Sequence, residues 1–260
     1  MHSDVAKRLS CLLLAAALGL AETAAADEWD RATDSDNGNS TDNAPAHGAE
    51  QIHDLGELPG FDQDWFRVHS RPLSSYQFVV DGMTGDLDLA ADDVQRVDGA
   101  GGTFDTAVPS DGGGVLSLAW LNVVAPEDTF MRVRGAACGT ACSAADRYRA
   151  RFYDTTYTVP RFNNSGTQTT VLLIQNATDQ PCSLRFAYLD SLGALVHTSG
   201  SELLGARALL VVNTSAVVPG QSGSVRILHL CGYGGLSGKA VSVEPVTGFA
   251  FDTPLLHRPR

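Results

Sequence analysis

The chain predicts an all-β fold of two β-sandwich domains in tandem, and three observations carry that expectation. Apolar residues recur with period two, Gly, Asp, Asn or Pro interrupts them every ten residues or so, and no stretch keeps a helical stripe. A length of 260 residues with 43% apolar residues and 26 glycines suits one or two ordinary globular domains.

Lys7 and Arg8 precede an apolar run from Leu9 to Leu20 that ends in Ala24-Ala25-Ala26 before Asp27. This is the pattern of a secretory signal over residues 1–26 with an Ala-x-Ala cleavage site, too short to span a bilayer. The expected location is therefore secreted or extracellular, with the periplasm or cell surface as variants. Residues 27–50 are rich in Asp, Asn, Ser, Thr and Gly and almost free of large apolar side chains, so they read as an acidic, solvated, flexible linker. Asp34-Ser35-Asp36-Asn37-Gly38 approaches a calcium loop but places its glycine one position early.

Residues 51–154 hold the first set of alternating segments: Tyr76, Phe78 and Val80; Leu116, Leu118 and Trp120; Met131 and Val133; Tyr148, Ala150 and Phe152. Residues 155–260 hold the second: Val171 to Ile174, Cys182 to Tyr188, Ala194 to Val196, Leu209 to Val212, Val225 to Ile227 and Ala240 to Val243. The break between them falls near Asp154 to Pro160 and leaves two units of about 100 residues, a normal domain size.

Asp64-Trp65-Phe66-Arg67-Val68, Tyr76-Gln77-Phe78-Val79-Val80, Gly85-Asp86-Leu87-Asp88-Leu89, Phe130 to Gly135 and Arg147 to Arg151 together resemble the bacterial pre-peptidase C-terminal (PPC) domain over about residues 52–154. That likeness implies a jelly-roll-like sandwich, non-catalytic itself, of a kind appended to exported enzymes, some members binding calcium or matrix polymers. No peptidase accompanies it in this sequence. Pro160 to Gln168, Gln221-Ser222-Gly223-Ser224 and Gly238-Lys239-Ala240-Val241 resemble an immunoglobulin-like sandwich of exported bacterial proteins. It is not of antibody type, because Trp29, Trp65 and Trp120 all precede it.

Four cysteines follow the signal, an even number that reads as two disulfides in an oxidising compartment, although three pairings are formally open. Proximity favours Cys138 with Cys142, which leaves Cys182 to pair with Cys231. The second would close a loop of about 50 residues, worth about 4 kcal/mol in the chain-entropy account against about 2 for the short loop.

A formal charge of −12 excludes binding of nucleic acid or anionic lipid through the overall field. No Gly-x-Ser-x-Gly elbow, His-Glu-x-x-His helix or phosphate loop is present, so no catalytic residue is assigned. Asp86 and Asp88 alternate in a strand-like segment and could share a calcium ion with Asp92 or Asp93. Asn39, Asn163, Asn176 and Asn213 each open an Asn-x-Ser/Thr site.

The most suggestive polar pattern is arginine. If Met131 and Val133, Tyr148 and Phe152 face the core of a hairpin, Arg132, Arg134, Arg147, Arg149 and Arg151 share the outer face of two paired strands. Such a ladder would suit an acidic polysaccharide or similar polymer, unless Asp128, Asp146 and Asp154 neutralise it. The function classes that follow are a non-catalytic exported binding protein, an accessory subunit of a separately encoded exported enzyme, and a hydrolase assembled from loops.

Overall fold

The computed structural model describes residues 29, 41–56, 63–110, 114–135 and 143–258, which are all-β with several antiparallel sheets. The first sheet takes β1 (Glu50–Asp54), β3 (Ser74–Asp81), β6 (Val108–Pro109), β7 (Val115–Asn122) and β9 (Arg147–Asp154) in the order β1-β9-β3-β7-β6. A second takes β2 (Gln63–Ser70), β4 (Val94–Val97), β5 (Thr103–Thr106) and β8 (Glu127–Arg134) in the order β2-β8-β4-β5. Inward residues of both sheets meet in one core: Phe66, Met131 and Val133 from one, Tyr76, Phe78, Leu118 and Tyr148 from the other. The buried Tyr148 hydroxyl donates to Asp64 Oδ2 at 2.6 Å, tying β9 to β2 across the layers.

The chain leaves this pair of sheets at Asp154 and enters another at Tyr157. One sheet contains β10 (Tyr157–Asn163), β12 (Cys182–Asp190), β13 (Leu195–Thr198), β16 (Ser222–His229) and β19 (Leu256–His257) in the order β13-β12-β16-β10-β19, with β14 (Glu202–Leu204) also paired to β12. The facing sheet is β15-β11-β17-β18, built from β11 (Thr169–Asn176), β15 (Leu209–Asn213), β17 (Leu236–Glu244) and β18 (Phe249–Pro254). Phe162, Leu172, Ile174, Leu184, Phe186, Tyr188 and Ile227 fill the space between them. Most of the period-two segments read from the sequence form strands of these sheets with one face buried in a core, whereas β13, which follows Ala194, is exposed along its length.

A single chemical device ends seven of the strands. Asp54, Asn122, Asp154, Asn163, Asn176, Asp190 and Asn213 are each the last residue of their strand. In all seven the side-chain Oδ1 accepts the backbone N–H two residues on, at 2.8–3.3 Å. These are Asx turns, which offer the backbone an alternative to the sheet ladder and so stop the strand. Three of them are the Asn-x-Ser/Thr sites at Asn163, Asn176 and Asn213, where the Ser or Thr hydroxyl two residues on donates to the same oxygen. Asn163 and Asn176 are buried, so in the folded chain these motifs serve as turn locks. Asn39 lies outside the described residues.

The linker expected over residues 27–50 departs from its reading at its end. Thr41 is buried and donates its hydroxyl to the Trp65 carbonyl at 3.1 Å, Arg67 N–H donates to the Asn43 carbonyl, and His47 forms a bridge with Phe152. Residues 41–50 are thus held by the unpaired backbone groups of β2 and β9, which composition alone does not reveal.

Asn176 makes the fullest use of the device, because its amide also donates to the carbonyls of Gln180 and Gly205 at 2.7 and 3.0 Å. Asn176→Ala strands these buried groups and is expected to cost about 3 kcal/mol of unfolding free energy. Asn213→Ala, in the same motif but exposed, is expected to cost about 1 kcal/mol or less. Urea denaturation of the two variants checks the ranking, and an equal cost contradicts it.

Candidate functional site

The arginine ladder does not form. β8 pairs with β2 and β4, whereas β9 pairs with β1 and β3, so the two strands lie in opposite sheets of one sandwich rather than in a hairpin. Their inward residues share the core, and their outward residues therefore point away from one another. Arg132 donates to Gln95 Oε1 and lies over the Trp65 ring at 5.3 Å, and Arg134 donates to the Asp92 carbonyl at 2.9 Å. On the other face Arg147 donates to the Ala144 carbonyl, while Arg149 and Arg151 both pair with Asp81. Neutralisation does occur, but through Asp81 and Glu50 rather than the carboxylates expected. Asp128 pairs with His69. Asp146 accepts from the Ser143 and Asp86 N–H groups.

Asp86 and Asp88 are exposed and flank the buried Leu87 and Leu89, so they do face one side, in a turn and extended loop rather than a strand. Asp93 is buried and bonds to the Ala90 N–H, and its pKa is raised, first by burial. Among the described residues no group of three or more His, Cys, Asp or Glu is placed to hold a metal ion. The calcium-like segment Asp34–Gly38 lies outside those residues.

Cys182 and Cys231 form a disulfide, as expected. Cys138 and Cys142 lie outside the described residues. No helix among the described residues is long and apolar enough to cross a membrane.

The structure directs attention to the seam between the two pairs of sheets. Leu73, Leu121 and Val123 of the first pair pack on Ala187, Leu189 and Leu228, which stand on the outer face of β12 and β16. Beside this apolar patch runs a hydrogen-bonded chain. Buried Ser75 accepts the Thr155 N–H at 2.9 Å and its hydroxyl accepts the Thr155 hydroxyl at 2.8 Å. The Thr155 carbonyl in turn meets His229 Nε2 at 2.7 Å. Since Cys231 N–H donates to His229 Nδ1, the imidazole proton sits on Nε2 and donates to Thr155. Tyr153 and Tyr233 stack across the seam with centroids 4.6 Å apart.

Two concavities open along this seam. One, of about 800 Å³, is lined by Gln77, Ser117 and Ala119 on the first pair of sheets, and by Thr178, Gln180, the disulfide and the Gly232–Gly235 turn on the second. Although the chain carries a charge of −12, none of the described residues that line it is Asp, Glu, Lys, Arg or His. The other, of about 390 Å³, gathers Arg71, Arg226 and Arg258 around Asp154, with Ser74, Thr156, Thr158 and His257 on its walls. The tail that delivers Arg258 is anchored by its carbonyl, to which the Tyr233 hydroxyl donates at 3.0 Å and which His47 Nε2 approaches at 3.1 Å. These three arginines escaped the sequence reading because no local pattern joins them. They are brought together only when β16 and β19 are laid beside the turn before β3.

No protein-family model matches the chain, and no curated protein matches it. The fold and the seam therefore stand on their own geometry.

His229 makes the seam sensitive to pH. Complete burial lowers its pKa from 6.5 to about 4, with the bond to Thr155 opposing the shift. Between those values the unfolded chain takes up a proton that the folded chain refuses, so stability present above pH 6.5 is lost as pH falls towards 4. The full loss is about 3 kcal/mol. Thermal unfolding between pH 7 and 4.5 is expected to show His229→Gln less stable than the native chain at pH 7 but less steeply dependent on pH. Parallel curves for the two proteins would remove His229 as the cause.

Proposed function

We propose that the protein is an exported, non-catalytic binding or accessory protein whose ligand, a segment of an extracellular polymer, lies in the seam between residues 51–154 and 155–260. On this reading those stretches are two domains, the first of the pre-peptidase C-terminal kind and the second immunoglobulin-like. The observation that carries the proposal is the uncharged groove. Ligand sites collect where packed units meet, in concavities with a few convergent polar groups. Here Gln77, Thr178, Gln180 and the backbone of a glycine-rich turn surround an open space with no ionic side chain among the described residues that line it. Such a lining can exchange hydrogen bonds with hydroxyls or amides without desolvating a charge. The disulfide fixes the Gly232–Gly235 turn to β12, so the groove is held open before a ligand arrives, which lowers the ordering cost of binding.

The arginines of β8 and β9 have no part in this reading, since their donors are engaged on two opposite faces. Binding of the secreted chain to a panel of extracellular glycans, acidic and neutral, tests the proposal. Ala119→Trp fills the groove from β7 and is expected to weaken binding by about tenfold or more with an unchanged melting temperature, the cost of excluding a ligand by bulk. The triple variant Arg147→Ser, Arg149→Ser, Arg151→Ser is expected to bind as the native chain does. The reverse result would return the site to β9 and reject the seam.

A further inference from the structure

We infer that the arginine cleft is an oxyanion site, holding one carboxylate or sulfate group of an acidic sugar unit. The inference rests on the reading of the seam as the binding site and adds to it the charge of the ligand. Three guanidiniums against one carboxylate leave two positive charges in excess at this point of a chain that is otherwise strongly acidic. A like-charged group of this kind is costly unless a counter-charge joins it, and the donors it presents show how little of that counter-charge the protein supplies.

Among the described residues Asp154 is the only carboxylate on the cleft walls, and it is nearly spent. Its Oδ2 takes Arg71 at 2.5 Å, its Oδ1 accepts the Thr156 N–H at 3.2 Å, and only 5% of its side chain is exposed. Arg258 stands off the same carboxylate at 3.8 Å. Arg226 has no carboxylate partner among the described residues and touches only the Pro72 carbonyl, at 3.3 Å. Each guanidinium presents five N–H donors in a planar fork that matches the two oxygens of a carboxylate or two of a sulfate. Arg226 and Arg258 thus offer unspent forks to the cleft, and the Thr158 hydroxyl stands beside them.

The cleft is positioned rather than improvised. β10 supplies Thr158, β16 supplies Arg226 and the residue after β19 supplies Arg258, with the tail clamped by Tyr233. Tyr233 also lines the uncharged groove, and β3 passes from Ser74 in the cleft to Gln77 in the groove over about 10 Å. One ligand type suits both features: a hydroxyl-rich chain carrying an acidic group. A volume of about 390 Å³ accommodates a single sugar unit rather than a longer stretch.

The experiment compares polygalacturonate with its fully methyl-esterified form, in which every carboxylate is replaced by a neutral methyl ester, and with inorganic sulfate as competitor, at low and high salt. The native chain is expected to bind the free acid at least tenfold more tightly than the ester and to lose that margin at high salt. Arg226→Gln and Arg258→Gln, both at the protein surface, are expected each to remove about tenfold of that affinity while melting at the native temperature. The Arg147, Arg149 and Arg151 triple variant keeps it. Equal binding of acid and ester overturns the inference and leaves the seam standing. No binding to either polymer, or full affinity in both single variants, also overturns it. A variant with an altered melting temperature is replaced by Arg258→Lys, which keeps the charge but loses the fork and is expected to bind between the native chain and Arg258→Gln.

Discussion

The chain of hydrogen bonds from Ser75 through Thr155 to His229 is the constraint on which the arrangement of the molecule depends. Two pairs of sheets joined by a two-residue connection could adopt many relative orientations. Thr155 removes that freedom by engaging β3 with its N–H and hydroxyl and β16 with its carbonyl. The geometry is demanding because every member is buried. A neutral imidazole between a carbonyl and an amide N–H satisfies both, whereas a charged one, deep in the seam, does not. The apolar patch of Leu73, Leu121, Leu189 and Leu228 adds burial beside it, and both concavities exist only because the two pairs of sheets are held at this angle.

Strand positions were legible because alternation is a local property. Tyr76, Phe78 and Val80, or Leu184, Phe186 and Tyr188, announce a buried face without reference to any partner. Strand ends were legible in principle as well, since Asn or Asp closes eight of the strands, yet the same letters at Asn163, Asn176 and Asn213 also spell a glycosylation motif. What local pattern could not supply was pairing. β8 and β9 are separated by a connection short enough for a hairpin, and the ladder of five arginines rested on that assumption. The connection instead crosses from one sheet to the other, a choice set by β1, β2, β3 and β4, all distant in sequence. Short strands such as β5, β6 and β19 carry too few residues to show alternation and are defined by neighbours alone.

The same distinction governs the site. The Cys182–Cys231 bridge was legible because cysteine is rare and its count constrains pairing. Arg71, Arg226 and Arg258 were not, because each is an ordinary arginine in its own segment and acquires meaning only beside Asp154. On β9, Asp81 receives both Arg149 and Arg151, a pairing that the sequence displays as unopposed charge.

If the seam is a fixed structural element rather than a loose contact, the two sandwiches must unfold together. Differential scanning calorimetry of the disulfide-intact chain at pH 7 measures this directly. The account expects one transition whose calorimetric and van't Hoff enthalpies agree, as for a single cooperative unit. Two resolved transitions, one for each pair of sheets, would contradict it and leave the groove and the arginine cleft without a stable frame.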